Sequence, residues 1–225
     1  SVFRYTEEWE KLLKRIARWV DLEHSYATLE NEYMESIWWV FKEIWKKKMV
    51  YQGLKTMHIC PRCETPLSNF EVTLGYKEVV DLSVTVKFEL KDEPNTFFLA
   101  WTTTPWSLLS TTGLAVGPDF EYVKVKMESG EQYYLAQARM ETVLEGLGEY
   151  KIVKKVKGKE LAHRAYRHVF DFYNDHPDVL ASKNAFHTVP TDYVSVEDGT
   201  GIVTINGAFG DVDYEAATQH GLPMF

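Results

Sequence analysis

Three stretches of the chain combine residue types and spacing that could do chemistry. Cys60-Pro61-Arg62-Cys63 has the two-residue gap that lets both thiolates reach one metal ion. Tetrahedral zinc takes four ligands, and the chain has 2 Cys in all. Cys60 and Cys63 are therefore either plain thiols or half of a zinc site completed by residues from outside; His58 is close, but no obvious fourth ligand follows. Trp101-Thr102-Thr103-Thr104-Pro105-Trp106 sets three hydroxyls and their backbone amides at the end of an apolar run, and Pro105 stops any strand ladder there. Ser107, Ser110, Thr111 and Thr112 extend that polar cluster. Strand propensity plus a capping turn would account for such a sequence. An aromatic beside hydroxyl donors would equally suit a nucleoside with a polar appendage.

The third stretch runs from Gly199 to Tyr214. Its glycines bracket a short strand and a tight loop, where Gly210 and its neighbours could let backbone approach a ligand closely. The loop feeds a helix start carrying Asp211 and Asp213, and a carboxylate there could bind an ammonium group or simply serve the helix end. No phosphate-binding loop, dinucleotide fingerprint or nucleophile elbow is present. His163, His168 and His187 read as surface or packing residues.

These residues need elements to hold them. Trp9, Leu12, Leu13, Ile16, Ala17 and Val20 recur at helical spacing, and a second helix is expected from roughly Glu32 to Lys47. Trp38, Trp39, Val40 and Phe41 make that second helix apolar around most of its girth, so it should be buried on more than one side. Val80 to Leu90 alternates with polar residues as a half-buried strand should, and Thr96 to Trp101 reads as a more buried one. Tyr122–Met127 and Gln132–Ala136 flank a Ser-Gly turn as a β-hairpin. Arg139 to Leu147 reads as a short helix, Gly201 to Ile205 as a strand, and Asp211 as the cap of a helix through Gln219.

Composition narrows the class. The chain has 225 residues, 45% of them hydrophobic, with 7 Trp, 13 Tyr and 12 Phe, which is too aromatic for a disordered segment. No run approaches the roughly 18 apolar residues of a membrane span, and the opening residues lack the pattern of a secretory signal. Two Cys suit a reducing cytoplasm. The net charge of −8 argues against a general nucleic-acid binder. Between Lys151 and His168, however, seven Lys or Arg stand against the single acid Glu160. Such a strip could be a solvated face or a dock for one polyanion.

Taken together, Arg18-Trp19-Val20-Asp21, Met34 to Phe41, Cys60 to Asn69 and Trp101 to Trp106 resemble the isoleucyl-tRNA synthetases, a class I aminoacyl-tRNA synthetase family. The likeness runs over essentially the whole chain and falls on the inserted editing domain (connective peptide 1) with the catalytic-domain segment leading into it. Thr-Thr-Thr-Pro-Trp is the discriminating piece, because the valyl and leucyl relatives carry Arg after the Thr pair. The resemblance implies an α+β architecture. Residues 1–58 would be helices of a split Rossmann-type catalytic domain, 59–78 a half-knuckle linker, and 79–225 a β-barrel-like editing domain with rim helices that continues past Phe225.

The activity implied is proofreading, hydrolysis by water of valine misattached to tRNA(Ile), because one methylene is worth only ~1–3 kcal/mol and cannot be discriminated in a single step. Thr102, Thr103 and Thr104 match the family's Thr-rich strand, which orients the ester, and Asp213 matches the residue that recognises the free α-amino group. Trp106 matches an aromatic at the pocket edge, and Thr111, Thr204 and Gly210 would line the pocket. Asn206-Gly207 replaces the family's Ala-Pro, and two further positions depart from the family: Thr204 stands where His is usual, and Thr111 where Asn is usual. They keep open a second reading, a non-catalytic tRNA-docking module. The implied partners are the 3′ end of tRNA(Ile) carrying valine and the rest of a monomeric cytoplasmic synthetase, with no membrane. Editing implies no cofactor; ATP and Mg would belong to the full-length ligase, and zinc to a Cys pair outside this chain.

Overall fold

The computed structural model describes residues 2–225 and falls into two units, residues 1–54 and 55–225. In the first, a 3-10 turn (Val2–Tyr5) leads into helix α1 (Thr6–Arg15), and α2 spans Asn31–Lys46. Helix α1 stops short of the expected Val20. Ala17 takes a left-handed backbone (φ 55°), and the Arg18 N–H turns back to the Leu13 carbonyl at 3.0 Å. Lys48 (φ 56°) closes α2 in the same way, with the Met49 N–H on the Ile44 carbonyl. Burial of α2 is not realised within the chain. Trp38, Trp39 and Trp45 are all more than half exposed, and α2 has no buried residue.

The second unit opens with a small antiparallel hairpin, β1 (Ile59–Cys60) and β2 (Thr65–Pro66), followed by α3 (Asn69–Leu74), whose start is closed by a capping box between Ser68 and Glu71. The main sheet has eight strands: β3 (Val84–Glu89), β4 (Thr96–Thr102), β5 (Gly113–Val116), β6 (Glu121–Met127), β7 (Gln132–Ala136), β8 (Tyr150–Lys157), β9 (His187–Pro190) and β10 (Ile202–Ile205). Strand β3 begins four residues later than the alternation suggests. Val80 and Leu82 are exposed and have no strand opposite them, so their pattern finds no surface to face.

Strand β4 organises this sheet. One edge pairs along its length with β3, while the other pairs first with β7 (Phe98↔Tyr134) and then, at Trp101↔Val203, with β10. From β10 the sheet continues through β5 to β9. Residues 163–167 then bridge β9 back to the end of β3: Tyr166 N–H bonds the Phe186 carbonyl at 2.9 Å, and Arg167 N–H bonds the Glu89 carbonyl at 2.7 Å. The sheet thereby curls into a barrel, and Phe88, Phe98, Leu114, Tyr122, Tyr166 and Ile202 fill it. Strands β6, β7 and β8 extend from it as an antiparallel flap covered on one face by α4 (Met140–Leu144). Short helices α5 (Gly158–Leu161) and α6 (Pro177–Ala181) and the longer α7 (Asp211–His220) lie at the rim, α7 packing Ala216 and Ala217 on Ala115, Val189 and Ile205. The fold is thus α+β with a barrel-like sheet and rim helices. Among the described residues no helix is long and apolar enough to cross a membrane.

Candidate functional site

Parallel pairing of Trp101 with Val203 brings the C-terminal ends of β4 and β10 side by side. One residue further on, Thr102 and Thr204 lie level on the same face, and both are buried. The Thr102 hydroxyl accepts the Thr104 N–H at 3.0 Å and lies 3.2 Å from the Thr104 hydroxyl. Ser107 Oγ donates to the Thr104 carbonyl at 2.7 Å, which leaves the Thr104 hydroxyl to donate to Ser107 Oγ at 3.0 Å. Pro105 starts a 3-10 turn (Pro105–Ser110) that holds Ser107 in place. The result is a directed row of hydroxyls at the strand end. Thr103 is exposed, and Trp106, 66% exposed, stands at the rim.

Asn206 binds the opposite side of the site. Its side-chain oxygen accepts the Thr111 hydroxyl at 2.8 Å, its amide nitrogen donates to Thr204 Oγ1 at 3.3 Å, and its backbone N–H donates to Asp213 Oδ2 at 2.9 Å. One buried amide thus joins three of the residues singled out in the sequence. In the sequence it stands out only as part of Asn206-Gly207, which replaces the family's Ala-Pro, and an Asn followed by Gly after a strand otherwise reads as a turn. Tyr193 is a second addition. Its buried hydroxyl has no partner of good hydrogen-bond geometry among the described residues, with the Thr191 hydroxyl nearby, and burial, with the neighbouring Asp213 charge, pushes the phenol up.

Asp213 sits in the first turn of α7. Burial raises its pKa above the ordinary carboxylate value, and the Asn206 N–H only partly offsets this. No Lys, Arg or His nitrogen among the described residues lies within 4.0 Å of it. A partly desolvated carboxylate without a cation is a natural receptor for an ammonium group. Asp211, expected as the helix cap, is instead the first helical residue. Gly210 is the cap position, and the Asp211 carboxylate accepts the Thr56 hydroxyl. The glycines also divide. A side chain at Gly201 (φ 74°) would meet Ala136 Cβ at 2.4 Å, and one at Gly207 would meet Ala217 Cβ at 2.8 Å, so these two permit close packing of protein on protein. Of the three, Gly210 alone has room, since a side chain there would meet only Asp213 Cβ, at 4.0 Å.

No histidine or cysteine is hydrogen-bonded to this network among the described residues. His168, buried, bonds the Leu108 carbonyl through Nε2 at 3.0 Å and so braces the 3-10 turn from behind. Cys60 and Cys63 lie on the β1–β2 hairpin, where Cys60 Sγ accepts the Cys63 N–H at 3.4 Å and this bond chiefly lowers the Cys60 pKa. That turn geometry fits two thiolates of a zinc knuckle, but no third His, Cys, Asp or Glu joins them among the described residues.

The family model for tRNA synthetases class I (I, L, M and V) matches residues 1–205. An isoleucine–tRNA ligase of Protochlamydia amoebophila is 46% identical over 222 residues, covering 98% of this chain and 21% of that protein. One from Clostridium tetani is 41% identical over 224 residues, covering 100% of this chain and 21% of its own length. The chain therefore spans about a fifth of the length of the curated relatives it matches. Among solved structures, the crystal structure of GlLeuRS-CP1 superposes with a TM-score of 0.50 at 17% identity, over 61% of this chain and 60% of that one, a likeness of fold. With the family model covering most of its length, the chain belongs to the class I tRNA synthetases.

Proposed function

We propose that residues 79–225 form the editing domain of an isoleucine–tRNA ligase and hydrolyse valine from valyl-tRNA(Ile), residues 1–58 being part of its catalytic domain and 59–78 the linker. The observation that carries this reading is the Asn206 hub, which holds a desolvated, cation-free Asp213 in one network with Thr111 and Thr204. Asp213 pairs with the α-ammonium group of the misattached amino acid. The hydroxyls of Thr102, Thr103 and Thr104 orient the ester and the attacking water. The water oxygen bonds to the ester carbonyl carbon, the bond from that carbon to the ribose oxygen breaks, and a proton from the water passes to the departing oxygen, giving free valine and tRNA. Exposed Trp106 offers a face for the terminal adenosine, and Gly210 leaves the entrance free of a side chain. Thr204 and Thr111 leave the pocket without the family's usual His and Asn; the Asn206 amide lies between them and supplies hydrogen-bonding capacity of the same kind. Cys60 and Cys63 would contribute two of four zinc ligands, the others coming from outside this chain, and no step of the hydrolysis uses them. The enzyme would act in the cytoplasm.

The test is release of valine from valyl-tRNA(Ile) by the wild-type chain beside Asp213→Ala. Release by the wild type, with a loss on the order of a hundredfold or more in the variant, supports the reading. If the wild type is no faster than the uncatalysed ester, the hydrolytic role falls and a tRNA-docking role takes its place.

A further inference from the structure

Strand β8 pairs with β6 through a bulge at Val153, and this fixes which lysines share a face. The register sets Lys154 directly opposite Lys124 and Lys151 directly opposite Lys126. All four belong to the face that also carries Tyr122 and Val156, whereas Lys155 pairs with Val123 on the other face. Like charges directly opposite on a sheet oppose each other, so two such pairs in succession cost stability. Only Lys124 is neutralised, by Glu93, which also holds Arg164. Lys126, Lys151 and Lys154 are exposed and have no carboxylate within 4.0 Å among the described residues, although Glu128 and Glu149 border the outer end. Lysines on an edge strand often serve only to block edge pairing. That explanation cannot cover Lys124 and Lys126, because β6 lies between β7 and β8.

We infer that this two-by-two lysine array is a docking surface for an RNA phosphate backbone. Charge complementarity selects the partner: with Lys124 paired to Glu93, the exposed Lys126, Lys151 and Lys154 present unneutralised positive charge on one face of a chain whose net charge is −8. Lysines on adjacent strands and at alternate positions along them are ~5–7 Å apart, suited to successive phosphates of one strand. The choice of RNA rests on the proposed function, in which the substrate is a tRNA, but the array is separate from the Thr and Asp213 residues of that site.

The experiment compares two single variants of equal charge on one strand, Lys154→Ala and Lys155→Ala, in the 225-residue chain. Binding of a tRNA transcript is followed by fluorescence anisotropy from low to physiological salt. Lys154→Ala, and likewise Lys151→Ala and Lys126→Ala, should each lower the slope of log affinity against log salt by ~1, while Lys155→Ala leaves it unchanged. Equal slopes for Lys154→Ala, Lys155→Ala and wild type overturn the inference, as does an equal loss in both variants. Phosphatidylserine vesicles are the second probe, and binding to them with this lysine dependence, in a chain that does not bind tRNA, overturns it too. Valine release is measured on the same samples. A chain that binds RNA through the array without hydrolysis sinks the editing reading alone, and hydrolysis with no face dependence sinks this one alone.

Discussion

Asp213, the proposed receptor for an ammonium group, works against the fold that carries it. Because burial raises its pKa, the folded chain holds the Asp213 proton more tightly than the unfolded chain does. The resulting destabilisation is absent well below the ordinary value of 3.8, grows as pH rises through the raised value, and is constant above it. Asp213→Asn keeps an oxygen for the Asn206 N–H but removes the charge. It should raise Tm at pH 7, by ~2–4 °C for each kcal/mol recovered in a chain of this size, and leave Tm unchanged near pH 3. Thermal unfolding at both pH values checks this, and a fall in Tm at pH 7 would mean that the ionised carboxylate is stabilised by something other than Asn206. The chemistry of the individual residues was legible in the sequence: the hydroxyl row, the carboxylate and the thiol pair all stand out by type and spacing. Asn206 was legible only as a departure from the family, because its importance comes from contacts to other segments, Thr111 above all.

Among the elements, the strands whose partners lie close by were the most legible. The β6–β7 hairpin occupies the expected residues, because its alternation and its Ser-Gly turn are both local. Helix ends were less so. Gly221 closes α7 as a glycine should, and α2 ends within one residue of the expected Lys47, but Ala17 adopts the same left-handed backbone without a glycine, so the end of α1 carried no sequence signal. Val80 and Leu82 failed as strand for the opposite reason, a good local pattern with no neighbouring strand. The β10 entrance makes a strict demand on side-chain size. Gly201 combines φ 74° with the 2.4 Å approach to Ala136, and its carbonyl accepts the Tyr122 hydroxyl at 2.6 Å. Gly201→Ala should cost at least ~2 kcal/mol, from left-handed strain plus overpacking, and so lower the urea midpoint. An unchanged midpoint would show that β10 can shift without loss.

At the scale of the whole molecule, the three buried clusters draw all their members from residue 86 onward. The apolar side of α2, with Ile37, Trp38, Phe41 and Trp45 in the open, contributes to none of them. Residues 55–225 expressed alone should therefore unfold cooperatively, with a Tm within a few degrees of the whole chain, and should bind less of a hydrophobic dye once α2 is gone. A broad, non-cooperative transition would mean that the first unit supports the second.

The pairing of β4 with β10 has a further consequence in time. Thr111 and Asn206 are 95 residues apart in the chain, and the Trp101–Val203 pairing closes a loop of similar length. Contacts of such long range form slowly, because the entropy of closing the loop is lost before any contact is gained. The β3–β4 and β6–β7 pairings can form early from neighbouring segments, whereas Thr111 meets Asn206, and Thr102 comes level with Thr204, only when β10 docks. Under the proposed editing role, catalytic competence would thus be the last property this chain acquires as it folds. A nascent protein would hold most of its barrel strands in place while still unable to touch an ester.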